Sequence, residues 1–176
     1  MNYLFLTNGF EEIEAVETID ILRRADAPLL TVSVEGTLDV KGAHNVVVKA
    51  DMLLSDSNFA DAEMLILPGG TLRLGEFSKL TDLLVEHNNK GGLIAAICAA
   101  PSILGKLGIL EGKTATCYPG FEQYLTGAQV VDKRVVKCEN IITGKGPGCT
   151  KQFALELVLT LYGQEKTNEV AEAMIA

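Results

Sequence analysis

Cys98 stands where a thiol can do chemistry. The stretch GGLIAAICAAPSILGKLG, residues 91–108, reads as an apolar strand over 92–97 and leaves as a helix whose first turn accommodates Pro101. Cys98 falls in the turn between them. The position matches the strand–nucleophile–helix elbow, although the flanking glycines of G-x-S-x-G are missing. A thiol there faces unpaired N–H groups and the positive end of a helix dipole, which favour thiolate and lower the pKa. Such a sulfur is nucleophilic and easily oxidised. The plainer reading is a buried cysteine filling space at a crowded turn.

Two further features bear on that choice. The apolar run EMLILPGG ends in two glycines, where backbone must come close to something, and the N–H groups of Gly70 and Ala99 together suit a small anion or oxyanion pocket. The plainer reading is an ordinary glycine turn. In the opening helix, at about 100° per residue, Glu17, Asp20 and Arg24 share a polar sector while Ala15, Ile19 and Leu22 lie opposite. Glu14 projects between Ile21 and Ala25, on the flank of the buried arc. Burial there raises a carboxyl pKa. If Glu14 meets Cys98, thiolate and carboxylate repel, so the pair shares one proton and a protonated Glu14 donates to the thiolate. Otherwise Glu14 is a boundary residue reaching water.

No general base is evident. His44 in a hairpin turn and His87 near the end of a polar helix are expected to be solvated, and Tyr118, in CYPG, is a phenol and so a poor base at neutral pH. Cys138 reads as packing, whereas Cys149 opens a helix after Gly148.

These residues need a scaffold, and the chain describes one. Asn2–Thr7 and Leu29–Val34 read as strands around a helix over Glu11–Ala25, with acids in its first turn and Arg23-Arg24 in its last, as the macrodipole favours. LDV and VVV flank KGAHN as a hairpin, Phe77–Asn89 reads as a helix, and RVVKC with NIITG forms a second hairpin. A Gly-Pro-Gly turn at 146–148 opens the long helix KQFALELVLTLYG, and KTNEVAEAMIA closes the chain as a small amphipathic helix. This alternation predicts an α/β fold, a mostly parallel sheet with helices on both faces, in one domain over residues 1–176. In such sheets sites form beyond the carboxyl ends of the strands, and Cys98 lies at one.

Composition narrows the function classes. The net charge is −8 with no basic run, which argues against nucleic acid. The longest apolar stretch, around Leu93–Leu104, is interrupted by Pro101 and Ser102 and is too short to cross a bilayer. The opening residues turn acidic too soon for a signal peptide, so a cytoplasmic protein is expected. The four cysteines contain no C-x-x-C pair, so neither a structural disulfide nor a metal site is expected.

EEIEAVETIDILRRA, LILPGG, AAICAAPSIL and GKGPG together resemble the ThiJ/PfpI superfamily over essentially the whole chain, within it the branch of the parkinsonism-associated deglycase and its bacterial homologues. The resemblance implies a flavodoxin-like three-layer sandwich that forms a homodimer. It implies an oxidation-sensitive cysteine matched by Cys98, a protonated glutamate matched by Glu14 and a backbone anion pocket at Gly70 and Ala99. It places Cys117 and Tyr118 near that pocket. Relatives are described as glyoxalases or deglycases acting on methylglyoxal and glycated adducts, as oxidative-stress sensors and chaperones, and under an older thiazole-biosynthesis label.

Departures matter too. Relatives with peptidase activity have histidine where this chain has Ala99. The human-type branch has histidine at the position of Tyr118 and an arginine near the dimer interface at that of His44. The G-x-C-x-G elbow and downstream H-x-E of class I glutamine amidotransferases are missing. Three readings remain. In the first, Cys98 attacks a small reactive carbonyl with Glu14 as acid and base, needing no metal or redox cofactor. In the second, the same site stabilises an oxidised Cys98 in a sensor or chaperone, with a regulatory Cys98–Cys117 bridge as one form. The third, an amidase or peptidase, lacks its histidine.

Overall fold

Strands that are apolar on both faces satisfy their side chains only inside a sheet covered from both sides. The computed structural model, which describes every residue from Met1 to Ala176, has that arrangement. Strands β1 (Asn2–Leu6), β2 (Leu29–Ser33), β5 (Met52–Leu53), β6 (Met64–Leu67), β7 (Leu93–Ile97), β10 (Val135–Cys138) and β11 (Ile141–Gly144) form one sheet in the order β10-β11-β7-β6-β1-β2-β5. Every pairing is parallel except β10 with β11, the expected hairpin. β3 (Asp39–Lys41) and β4 (Val47–Lys49) make the other expected hairpin, and β8 (Thr114–Ala115) pairs with β9 (Gln129–Val130) in a two-residue parallel ladder. β8 falls in the short segment TATCYPG, a strand expected after the elbow, whereas the brief β5 and β9 carry too few residues to show a period-two pattern and were not expected.

The side-chain alternation of each strand feeds two cores. Tyr3 and Phe5 of β1, with Ile94 and Ala96 of β7, pack beneath helices α2 (Ser78–Asn89) and α3 (Pro101–Lys106). Leu4, Leu6, Ala95 and Ile97 point the other way, beneath α1 (Glu12–Arg24) and α4 (Thr150–Ala173). The fold is thus the flavodoxin-like three-layer α/β sandwich. The last two expected helices form one element broken at Gly163, whose φ of 81° admits a sharp bend that a side chain would resist. The ends of β1, β6, β7 and β11 meet at one edge.

Candidate active site

At that edge Cys98 leaves β7 with φ 66°, a left-handed value rare for a residue with a side chain. Such backbone costs about 1–3 kcal/mol and persists only where its surroundings hold it. Here its N–H donates to the Gly144 carbonyl at 2.9 Å, its carbonyl accepts from Tyr118 N at 2.8 Å, and Ala100 N closes the turn on Ile97 O at 3.1 Å. Pro101 occupies the first position of α3. The backbone N–H groups of Gly70 and Ala99 point at the Cys98 sulfur, and neither bonds another backbone carbonyl.

Glu14 is carried to the same place by α1, where Glu11 Oε2 caps the helix by accepting from Glu14 N at 2.8 Å. The sequence put Glu14 on the flank of the apolar arc; in the structure it is wholly buried. Its Oε2 accepts from Gly69 N at 2.7 Å, while Oε1 is buried without a hydrogen-bond partner of good geometry. Gly69, which the sequence reading overlooked, explains how the pair fits. A Cβ on it would lie 2.7 Å from Cys98 Cβ and 2.8 Å from Glu14 Oε2. The double glycine in LPGG was the available signal, since one glycine opens this gap and the next turns the chain at φ 87°.

Burial raises the Glu14 carboxyl to about 7, against the Gly69 N–H and the thiol, which favour its charge. The thiol differs from expectation. Instead of falling, Cys98 is pushed up to about 12, first by burial, then by the Glu14 charge and its hydrogen bond, and the Ala99 and Gly70 N–H groups only partly offset this. The elbow amides were the visible part of the environment; the loss of water was not. The two groups titrate as one system that holds a single proton and a single negative charge between the two values.

The remaining sequence candidates separate. Tyr118 is exposed, its ring lying against Gly146, and it lines a cleft of about 430 Å³ with Pro119, Arg134, Lys145, Cys149 and the 146–148 turn. Cys117 is buried in the opposite core from Cys98 and borders a neighbouring cleft with Glu122. Burial and then Glu122 push its thiol up to about 11. All four cysteines are free, and the Cys98 and Cys117 side chains pack into different cores with no bridge between them. His87, expected to be solvated, is buried against Gly92, its Nε2 3.2 Å from Leu93 O, because a glycine leaves room for the ring. His44 is exposed as expected but pairs with Glu12 Oε2 at 2.8 Å. Lys145 and Arg134 were not singled out. Lys145 sat inside GKGPG, whereas nothing in sequence marks Arg134 as a cleft residue.

Comparison with known proteins adds an independent line. Residues 2–160 match the model of the DJ-1/PfpI family. The chain is 38% identical to Drosophila melanogaster protein dj-1beta, covering 98% of this chain and 95% of the relative. It is 36% identical to the Caenorhabditis elegans protein named glutathione-independent glyoxalase DJR-1.2, covering 93% and 89%. The crystal structure of the Drosophila protein superposes with a TM-score of 0.95 over 99% of this chain and 97% of that one. An oxidized DJ-1 from Toxoplasma gondii, 36% identical over the same shares of both chains, superposes equally well.

Proposed function

From its place in the DJ-1/PfpI family, to which the chain belongs, we propose that this protein is a cysteine-dependent, cofactor-independent glyoxalase or deglycase acting on reactive carbonyls such as methylglyoxal. The observation that carries the reading is the Glu14–Cys98 pair, two acidic groups holding one proton beside two backbone N–H groups. The donors decide where the charge sits. Sulfur faces the Gly70 and Ala99 N–H groups, whereas the carboxylate has one N–H, that of Gly69, besides the proton the pair shares, so thiolate with carboxylic acid is the reactive form. The thiolate adds to the aldehyde carbon and Glu14 gives its proton to the new alkoxide, forming a hemithioacetal. Glu14, now a carboxylate, takes the proton from that carbon and returns it to the neighbouring carbon, while the hydroxyl proton of the first carbon passes to the former ketone oxygen. The product is the thioester of lactate, and water releases lactate and the thiol. Overall, methylglyoxal plus water becomes lactate.

A homodimer in the cytoplasm belongs to the same reading. Ile13 and Val16 on α1, with Val46 and Val47 around β4, are about half exposed, and the Glu12–His44 pair ties the two elements into one surface suited to a second copy. No helix is long and apolar enough to cross a membrane.

The test is lactate formation from methylglyoxal. It falls to background in Cys98→Ser and in Glu14→Gln; turnover that survives Cys98→Ser removes the reading. A redox role rests on the same two N–H groups, which suit the oxygens of a sulfinate. It is tested by peroxide followed by intact-mass and peptide mapping. Oxygen confined to Cys98 supports it, and oxidation spread over all four thiols counts against it.

A further inference from the structure

The cleft beside Cys98 has a charge character opposite to that of the chain. The protein carries a net charge of −8, yet the charged residues lining this cleft are Arg134 and Lys145, and no acid lines it. Both cations belong to the edge that holds the thiol. Lys145 follows Gly144, whose carbonyl accepts from Cys98 N at 2.9 Å, and Arg134 precedes β10, which runs antiparallel to β11. On the other side Tyr118, whose N–H bonds the Cys98 carbonyl, closes the wall. The cleft is therefore tied to the Cys98 backbone on two sides, directly through Tyr118 and through Gly144, the residue before Lys145.

Its cations remain available to a ligand. Arg134 donates through Nη2 to Gly148 O at 2.6 Å, and that bond fixes its head at the cleft while leaving further N–H donors unused. Lys145 pairs with Asp132, an exposed residue of the neighbouring cleft whose hold on the ammonium water and salt weaken. The turn at 146–148 leads into α4, so the positive end of a long helix dipole adds to the field. At about 430 Å³ the space also exceeds what a three-carbon aldehyde needs.

We propose that Arg134 and Lys145 form a subsite for a negatively charged tail, so that the preferred substrates are 2-oxoaldehydes carrying a distal anionic group. This rests on the reaction proposed above and names its substrate class. For 4,5-dioxopentanoate the balance is the same: the aldehyde and ketone carbons plus water become 2-hydroxyglutarate, and the distal carboxylate is unchanged.

The experiment compares kcat/KM for 4,5-dioxopentanoate with that for 2-oxopentanal, in which a methyl group replaces the carboxylate. Two cations and a helix terminus should favour the charged substrate about tenfold at low salt, and added salt should erode the preference. Lys145→Gln with Arg134→Gln abolishes it, whereas Lys145→Arg retains it. Equal turnover of both substrates by the wild type, or a preference that survives the double substitution, overturns the subsite while leaving the reaction intact. If neither aldehyde is turned over, the reaction is wrong and the subsite is judged by protection of Cys98 from iodoacetamide. Protection by 2-hydroxyglutarate at about tenfold lower concentration than by 2-hydroxypentanoate, lost in the double variant, supports it; equal protection overturns it.

Discussion

Replacing Glu14 by Gln keeps the shape of the buried side chain and removes one of the two titrating groups. In the wild type the first proton leaves the pair near pH 7 and the second near pH 12. With the charge resting on sulfur, alkylation of Cys98 should rise through a step near neutrality and then hold a plateau, because the second proton to leave is the carboxyl's. In the variant the carboxylate's repulsion is gone, but the thiol alone must lose its proton in a buried site, so its pKa lies at or above the ordinary 9.0. At pH 7 about 1% of that sulfur is thiolate, against about half of the wild-type pairs, which predicts a roughly fiftyfold slower reaction. The assay is iodoacetamide labelling of Cys98 followed by mass spectrometry across the step near neutrality, within roughly the pH 5–8 range of maximal stability. A Glu14→Gln protein that labels at the wild-type rate, with its step still near neutrality, refutes the shared-proton argument.

Other consequences can be checked separately. Because an exposed glutamate ionises at 4.5 whereas the folded Glu14–Cys98 pair loses its first proton at about 7, the stability that proton contributes is full below pH 4.5 and lost as pH rises through 7. That is about 3 kcal/mol by linkage, and chemical denaturation at several pH values should show the slope in the wild type and not in Glu14→Gln. Gly69→Ala puts a methyl group against both Cys98 and Glu14; it should cost about 1–3 kcal/mol in thermal unfolding and abolish lactate formation. Burial lowers the His87 pKa, so the stability it supplies is present above 6.5 and declines as pH falls below that value. His87→Gln should flatten that acid limb in denaturation curves. Val16→Glu with Val47→Glu should leave a monomer in sedimentation velocity, and an unchanged sedimentation coefficient excludes that surface as the dimer contact.

Local pattern determined much of this protein. β1, β6 and β7 are so uniformly apolar that only a sheet buried on both faces accommodates them, while LPGG closes β6, Pro101 opens the helix after β7 and GKGPG closes β11. Helical periodicity put Glu14 near the buried arc, and the strand–helix junction put Cys98 at the elbow. What α1 meets when it folds onto the sheet was decided by the tertiary structure. Gly69 lies 55 residues from Glu14, and its missing side chain lets carboxyl and thiol approach. Burial then reversed the direction of the thiol shift, because desolvation depends on every atom that excludes water and not on the amides next in sequence. The same holds for His87, whose helix looked polar until Gly92 made room for its ring, and for Arg134, which reaches the cleft because β10 runs against its neighbour. Residues adjacent in the chain announce their own geometry. The electrostatics of a site belong to whatever the fold brings together.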